Sequence, residues 1–408
     1  MSLPPSPEIV APLGRLSQRL SAHDEVQNRQ SKISSPMPPT KILQIVPRLF
    51  PDVDGVGDYS LQLAHQLCDS HRIISDFLVF RPSRRTQPTV DRFAVHRLDR
   101  HTVEGLLETV PQDISTVVLQ YSNYPYLRGK LDTPTWLIEG LNALKQRGLR
   151  IVIMFHELPT LRYRFIRCPN PVQRRVSRGL AQVADVVVTN NTAFQQTLAS
   201  WAMPPVYCMP NFSTIGEPER VKPLRDRSRS LIIFGSSDRS RVYRNNLPRL
   251  KQICQQLNIE TLYDIGRPIE WDMDRLAPEV KVIQTGFLPA AEVSELMSNA
   301  LAGVFDYRRF PHNLAKSTVY AAYCAHGLLP ISNQCALRPQ DGIIANQHYL
   351  DTTALSRVCQ QSTDLLTTLQ NVANSAHNQY RTRTLATFAE AFASLVQPSS
   401  YLTPLVRT

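Results

Sequence analysis

No CxxC pair occurs in the 408 residues, and the seven cysteines lie scattered from position 68 to 359. An odd, scattered set argues against a disulfide framework and for free thiols in a reducing cytoplasm. The ten histidines form no HxxxH or HxH spacing, so no metal site is expected. A run of about 18 apolar residues is also missing, so no membrane-spanning helix is expected. The opening "MSLPPSPEIV" has no basic segment leading into an apolar one, so no signal peptide is expected there. A full GxGxxG is lacking too, and with it the usual dinucleotide fingerprint.

What is present is a basic, globular composition. Lys and Arg number 45 against 34 Asp and Glu, a net charge of +11, with 42% hydrophobic residues. Such a surface suits nucleotides, phosphorylated substrates or an anionic membrane face, or it serves solubility alone. Nucleic acid is not an expected partner, because basic residues interleave with aromatics mainly in one stretch and no binding motif occurs. The length exceeds one ordinary core, so two domains are expected.

Residues 1–40 carry seven prolines with many Ser and Gln and read as a disordered tail. Then strands and helices alternate. "KILQIV", "SDFLVF", "STVVLQY", "RIVIMF", "DVVVTN" and "PVYCMP" are short apolar runs, several rich in Val and Ile, of the kind buried in parallel sheets. Amphipathic helices lie between them, as in "DYSLQLAHQLCD" and "PTWLIEGLNALKQRG". This predicts an N-terminal Rossmann-like domain over 41–210. The polar stretch 211–230 reads as a linker. The alternation restarts with "SLIIFG" and predicts a second Rossmann-like domain over 231–374, then a C-terminal helix and tail over 375–408. The fold class is α/β, two doubly wound domains facing a central cleft.

Ligands of open α/β sheets bind outside the carboxyl ends of the strands, so the residues just after each strand are the candidates. Gly55 and Gly57 follow the first strand and let backbone approach a ligand beside Asp58, or else form only a tight turn. His156 and Glu157 end a central strand. Arg239, Arg241 and Arg244 follow Gly235, and arginines there suit a diphosphate, or a solvated basic turn. In "FPHNLAKSTVYAAYCAHG", Asn313 is expected to cap a helix whose first amides, with Lys316, Ser317 and Thr318, hold an anion. An ordinary capped helix with no ligand is the plainer alternative.

The ordered pieces "DGVGDYSLQLAHQL", "VIMFHE", "QRRVSRGLAQVADVVVTNN", "QTGFLPAAEVSELMSNALAGVFDY" and "KSTVYAAYCAHGLLPI" resemble the GT-B glycosyltransferases, most closely the retaining enzymes of glycosyltransferase family 4. The resemblance covers about residues 40–396. It implies transfer of a sugar from a nucleotide-sugar donor to an acceptor hydroxyl, with retention and without a metal. The donor is a substrate, so no cofactor is implied. It places His156 beside the donor sugar, Gly55 to Asp58 near the diphosphate and acceptor, and Arg239, Arg241 or Arg244 on the diphosphate. It implies catalytic roles for His156, Glu157, Arg239 and Arg244. Gly55, Gly57, Asp58, Arg241, Lys316, Ser317 and Thr318 would bind the donor diphosphate.

The chain departs from that family in one respect. Its usual glutamates, eight residues apart, fall on Leu314 and Ala322 when aligned on Gly327. Glu157 or Asp306 would have to supply the lost sugar contact. Alternatives are therefore a catalytically inactive GT-B-like protein that binds a sugar nucleotide, or a sugar-nucleotide epimerase. The arginine-rich segment 161–180 marks a contact with an anionic membrane or a phosphorylated acceptor, or only a solvated helix face. A cytoplasmic, membrane-peripheral protein of polysaccharide or glycolipid biosynthesis is expected, its acceptor a sugar, lipid or small molecule.

Overall fold

The computed structural model describes residues 39–126, 133–159, 161–163, 166–168, 171–235, 239–270, 272, 276, 278–307, 313–333, 336 and 338–397. All but the end of the expected 1–40 tail lies outside these residues, and Thr40 already opens the first strand.

The apolar runs become strands. In the N-terminal half these are β1 (Thr40–Val46), β2 (Ile73–Val79), β3 (Thr89–Val90), β4 (Phe93–Arg97), β5 (Thr116–Tyr121) and β6 (Arg150–Phe155). A separate antiparallel pair, β7 (Leu161–Tyr163) and β8 (Ile166–Cys168), precedes β9 (Val186–Thr189) and β10 (Val206–Cys208). One eight-stranded sheet runs β10-β9-β6-β5-β1-β2-β4-β3, and only β3 and β4 pair antiparallel. In the second half, β11 (Ser228–Phe234), β12 (Thr261–Ile265), β13 (Lys281–Gly286), β14 (Ala300–Phe305), β15 (Leu329–Ser332) and β16 (Leu350–Asp351) form a parallel sheet ordered β13-β12-β11-β14-β15-β16. Both faces of such sheets are covered, which is why the strands read as apolar without alternation.

The two sheets share one feature at their centres. The first strand of each lies mid-sheet, and the strand order reverses beside it: β1 sits between β2 and β5, and β11 between β12 and β14. That reversal leaves a crevice at the carboxyl ends. Tyr323 holds the second crevice together, because its hydroxyl meets Ile232 O at 3.2 Å and Val304 O at 3.3 Å and accepts from Phe234 N at 3.1 Å. Gly303 makes room for it, since a Cβ there would lie 2.6 Å from the tyrosine ring.

The helices are α1 (Gly55–His71), α2 (Val103–Thr109), α3 (Thr135–Gln146), α4 (Pro171–Val183), α5 (Thr192–Ala199), α6 (Ser240–Gln256), α7 (Ala290–Asn299), α8 (Thr318–Ala325), α9 (Thr352–Gln361), α10 (Leu365–Tyr380) and α11 (Leu385–Val396). The single helix expected over about 375–396 is in fact two. α10 stops at Tyr380, a short turn follows, and the Thr384 hydroxyl caps α11 by accepting from Thr387 N at 3.2 Å. The break lets one apolar series serve two cores. Leu369, Val372 and Ala373 pack with Leu231 and Leu329 of the second sheet. Phe388, Phe392 and Val396 pack with Tyr59 of α1 and with Val152 and Val188 of the first. Each buried Phe contributes roughly 1.5–3 kcal/mol.

The chain therefore crosses between the halves twice, after β10 and between α10 and α11. The crossings are braced together. Ser213 N donates to the Tyr380 hydroxyl at 2.8 Å, that hydroxyl donates to the Glu217 carboxylate, and Leu385 N donates to the same carboxylate at 2.8 Å. β11 begins at Ser228, inside the expected 211–230 linker. In α4, Val176, Leu180 and Val183 face inward while Arg174, Arg175 and Arg178 are exposed.

Candidate functional site

The second crevice is lined by Phe234, Gly235, Arg239, Arg241, Asp306, Tyr307, Lys316, Ser317 and Val319, with Glu157 reaching in from the first half. Gly235 and Gly266 form its turns at φ +128° and +135°, conformations that only glycine adopts readily. Gly266 is fixed by space as well, because a Cβ on it would lie 2.3 Å from Gly235 O.

The three arginines expected on a diphosphate have three different environments. Arg239 is buried and faces Asp264, donating from Nε at 3.1 Å and from Nη2 at 2.7 Å. Tyr243 donates to the other Asp264 oxygen at 2.6 Å. Arg239 thus ties the turn after β11 to β12, and Asp264 balances its charge. Arg241 lines the crevice. Arg244 is exposed and donates to Glu270 O at 3.3 Å.

Asn313 does not cap a helix, contrary to expectation. It precedes a 3-10 turn, Leu314–Lys316, and α8 starts only at Thr318. The cap is Ser317, whose hydroxyl accepts from Tyr320 N at 3.1 Å. The amides of Lys316 and Ser317 already donate within the turn, at 3.2 and 2.9 Å. The first-turn amides without an intrahelical acceptor are therefore those of Thr318 and Val319. The positive end of the helix dipole lies there, beside the crevice. Lys316 Nζ reaches across to Glu157 Oε1 at 3.2 Å and sits 5.7 Å from the Phe194 ring centroid. Both partners of that ion pair line the crevice, so a carboxylate already occupies ground that suits an anion. Leu314 and Ala322, where the resemblance places glutamates, are both buried in apolar clusters.

His156 directly follows β6, buried and edge-on to the Tyr59 ring. Its Nε2 lies 2.8 Å from Gln120 Oε1, Gln120 Nε2 donates to Gln44 Oε1 at 2.8 Å, and Gln44 Nε2 donates to Ser75 at 3.0 Å. With the amides assigned this way, His156 carries its proton on Nε2 and keeps Nδ1 as an acceptor. Burial, and then the charge of Lys316, push its pKa down to about 3, so the ring is neutral. The buried glutamines on β1 and β5 were not expected as part of a site. Their signal was a polar residue inside an apolar strand.

Gly55 to Asp58 open α1 after β1. Asp54 caps the helix, accepting from Val56 N at 3.0 Å and Gly57 N at 3.1 Å. Gly57 packs so tightly that a Cβ would lie 2.2 Å from Arg48 O, whereas a Cβ on Gly55 would meet nothing within 4 Å. Asp58 keeps part of its surface open to solvent. Protein on its other sides, and then the charge of Asp54, push its carboxyl up to about 6.

No protein family matches the sequence, and no curated protein does either. The fold, by contrast, has many counterparts. An S. aureus TarM variant in complex with UDP superposes with a TM-score of 0.60 at 8% identity, over 88% of this chain and 100% of that one. The pneumococcal O-GlcNAc transferase GtfA, with UDP and GlcNAc, gives 0.59 at 10% identity, over 88% and 98%. WaaG, a glycosyltransferase involved in lipopolysaccharide biosynthesis, gives 0.53 at 13% identity, over 88% and 100%. The fold is the GT-B fold of glycosyltransferases.

Proposed function

We propose that the chain is a glycosyltransferase that moves a sugar from a nucleotide-sugar donor to an acceptor hydroxyl, with retention and without a metal. One observation carries the reading: the crevice of the second sheet gathers Lys316, Arg241 and the start of α8, opposite Glu157 from the first half, the residue next to His156. The donor diphosphate lies on the cations and on the Thr318 and Val319 amides. Glu157 then gives up Lys316. Neutral His156 accepts a hydrogen bond from a donor sugar hydroxyl at Nδ1. The acceptor oxygen bonds to the sugar's anomeric carbon as the carbon–oxygen bond to phosphate breaks. The bonding pair leaves on the diphosphate, and the acceptor proton follows to a phosphate oxygen. Preorganised cations and amides aimed at that growing charge lower the barrier. The acceptor binds on the first domain near Gly55 and Asp58, and the two braced crossings are the hinge for closure.

Melting curves with UDP, GDP and ADP test the donor site. A nucleotide at about 100 times its dissociation constant adds about 2.7 kcal/mol of stability. Lys316→Ala should weaken that nucleotide by about 10- to 100-fold, as for loss of a hydrogen bond to a charged group worth about 1.5–3 kcal/mol. Arg244→Ala should bind as before. If no nucleotide stabilises the protein, the donor site does not exist. A second reading is a protein that binds the nucleotide sugar without transferring it. It is favoured by the apolar Leu314 and Ala322 where the related enzymes carry glutamates. Release of nucleoside diphosphate in the presence of acceptor rules it out.

A further inference from the structure

We propose that the hinge holds a second anion site, built on Arg383 and suited to a small oxyanion such as inorganic phosphate. Arg383 sits in the turn between α10 and α11, where the chain crosses back, and it is 5% exposed. Its Nε, Nη1 and Nη2 are all buried and without a hydrogen-bond partner. Among the described residues it alone combines a charge with three such atoms. An uncompensated buried charge is among the costliest arrangements a fold can hold, and arginine does not shed its proton. The rings of Tyr320 and Tyr380, 5.5 and 5.9 Å from the guanidinium carbon, offset part of that cost but accept none of its hydrogen bonds.

A planar fork of donors selects a planar or tetrahedral oxyanion over a halide. Burial between two tyrosine rings selects a small one. The anion site is separate from the nucleotide crevice and stands without the reading given for it, whereas calling the crossing a hinge rests on that reading. Both touch α8, however. Val319 lines the crevice, while Tyr320, the next residue, rests on Arg383. Tyr380 also carries the hydroxyl that braces the two crossings. An anion on Arg383 would therefore stiffen the hinge.

The test uses the full chain in low-salt buffer, with melting followed against sodium phosphate and against sodium chloride at equal ionic strength. Phosphate should give a saturable rise in melting temperature that chloride does not. Lys316→Ala, which removes a cation of the crevice, should keep the rise. Arg383→Met should lose it, and without phosphate it should melt no lower than the parent, because the unpaired charge is gone. Should Arg383→Met not fold, Arg383→Lys keeps the charge without the fork and should raise the phosphate midpoint about ten-fold. A rise that survives in Arg383→Met, or in Arg383→Lys with an unchanged midpoint, overturns the proposal. So does a parent protein that responds to phosphate no more than to chloride, which would leave Arg383 bonded to ordered water instead.

Discussion

The two sheets reverse their strand order beside a central first strand in the same way, yet they treat the helix ends beside that reversal in opposite ways. At the first crevice the chain supplies its own anion: Asp54 caps α1 and occupies the place a phosphate would take. Asp58 adds a second carboxyl in the helix's first turn. At the second crevice no acid caps either helix among the described residues. Arg239 precedes α6 without a side-chain cap, and neutral Ser317 caps α8. Lys316 and Arg241 line the space between. Topology alone thus does not decide which crevice takes an anion. Under the proposed donor site the charge of the capping residue does, because the same dipole is met from within by Asp54 at one crevice and by no acidic cap among the described residues at the other.

Swapping single atoms on the first crevice breaks the comparison most strongly at its glycines. Gly57→Ala puts a methyl group 2.2 Å from Arg48 O, a backbone atom that cannot swing aside. A loss of about 1–3 kcal/mol is expected in chemical denaturation, as for other overpacked sites. Gly55→Ala meets open space and should leave stability within about 0.5 kcal/mol. If the loop approaches a ligand, Gly55→Ala should nonetheless impair transfer. Equal stability losses at both positions would show that the glycine pair serves helix packing alone.

The next largest effect concerns the cap itself. Asp54→Ala removes the acceptor of two amide hydrogen bonds and should cost about 1 kcal/mol. It also bares the positive end of α1. The first crevice would then resemble the second, and the variant should gain weak affinity for phosphate that the parent lacks there. Titration of melting temperature with phosphate, in an Arg383→Met and Lys316→Ala background, isolates that gain.

Much of this arrangement was legible beforehand. Val- and Ile-rich runs such as "RIVIMF" gave their strand to the residue, since burial on both faces leaves little but apolar side chains. Short edge strands such as β3 and β16 were not seen, because two residues carry no periodicity. The break before α11 was missed for a related reason. "NQYRTRTLATF" holds no Pro or Gly, and its apolar spacing carries straight through a turn that only Thr384 marks. In the candidate site, residue types after strands pointed to loops that line the second crevice, with Glu157, Arg239, Arg241, Lys316 and Ser317 among them. They could not show that Arg239 is balanced by Asp264, twenty-five residues away, or that Lys316 meets Glu157 across the crevice, since both are products of tertiary contact.

The smallest effect sharpens the contrast through pH. Asp58 titrates at about 6 in the folded protein, against about 3.9 for an unfolded aspartate. The folded state therefore holds the proton more tightly, and above pH 6 the fold carries a carboxylate it disfavours. That penalty shrinks as pH falls through 6 and disappears below about 4, where the group is protonated in both states. Asp58→Asn should accordingly melt slightly higher than the parent at pH 8, with the difference gone by pH 4. Burial is the larger cause of the shift and Asp54 the smaller. Asp54→Asn should then lower the Asp58 pKa only part of the way, as followed by carboxyl-carbon NMR. A full return to the unfolded value would mean that the two acids, and not the walls around them, set the charge of the first crevice.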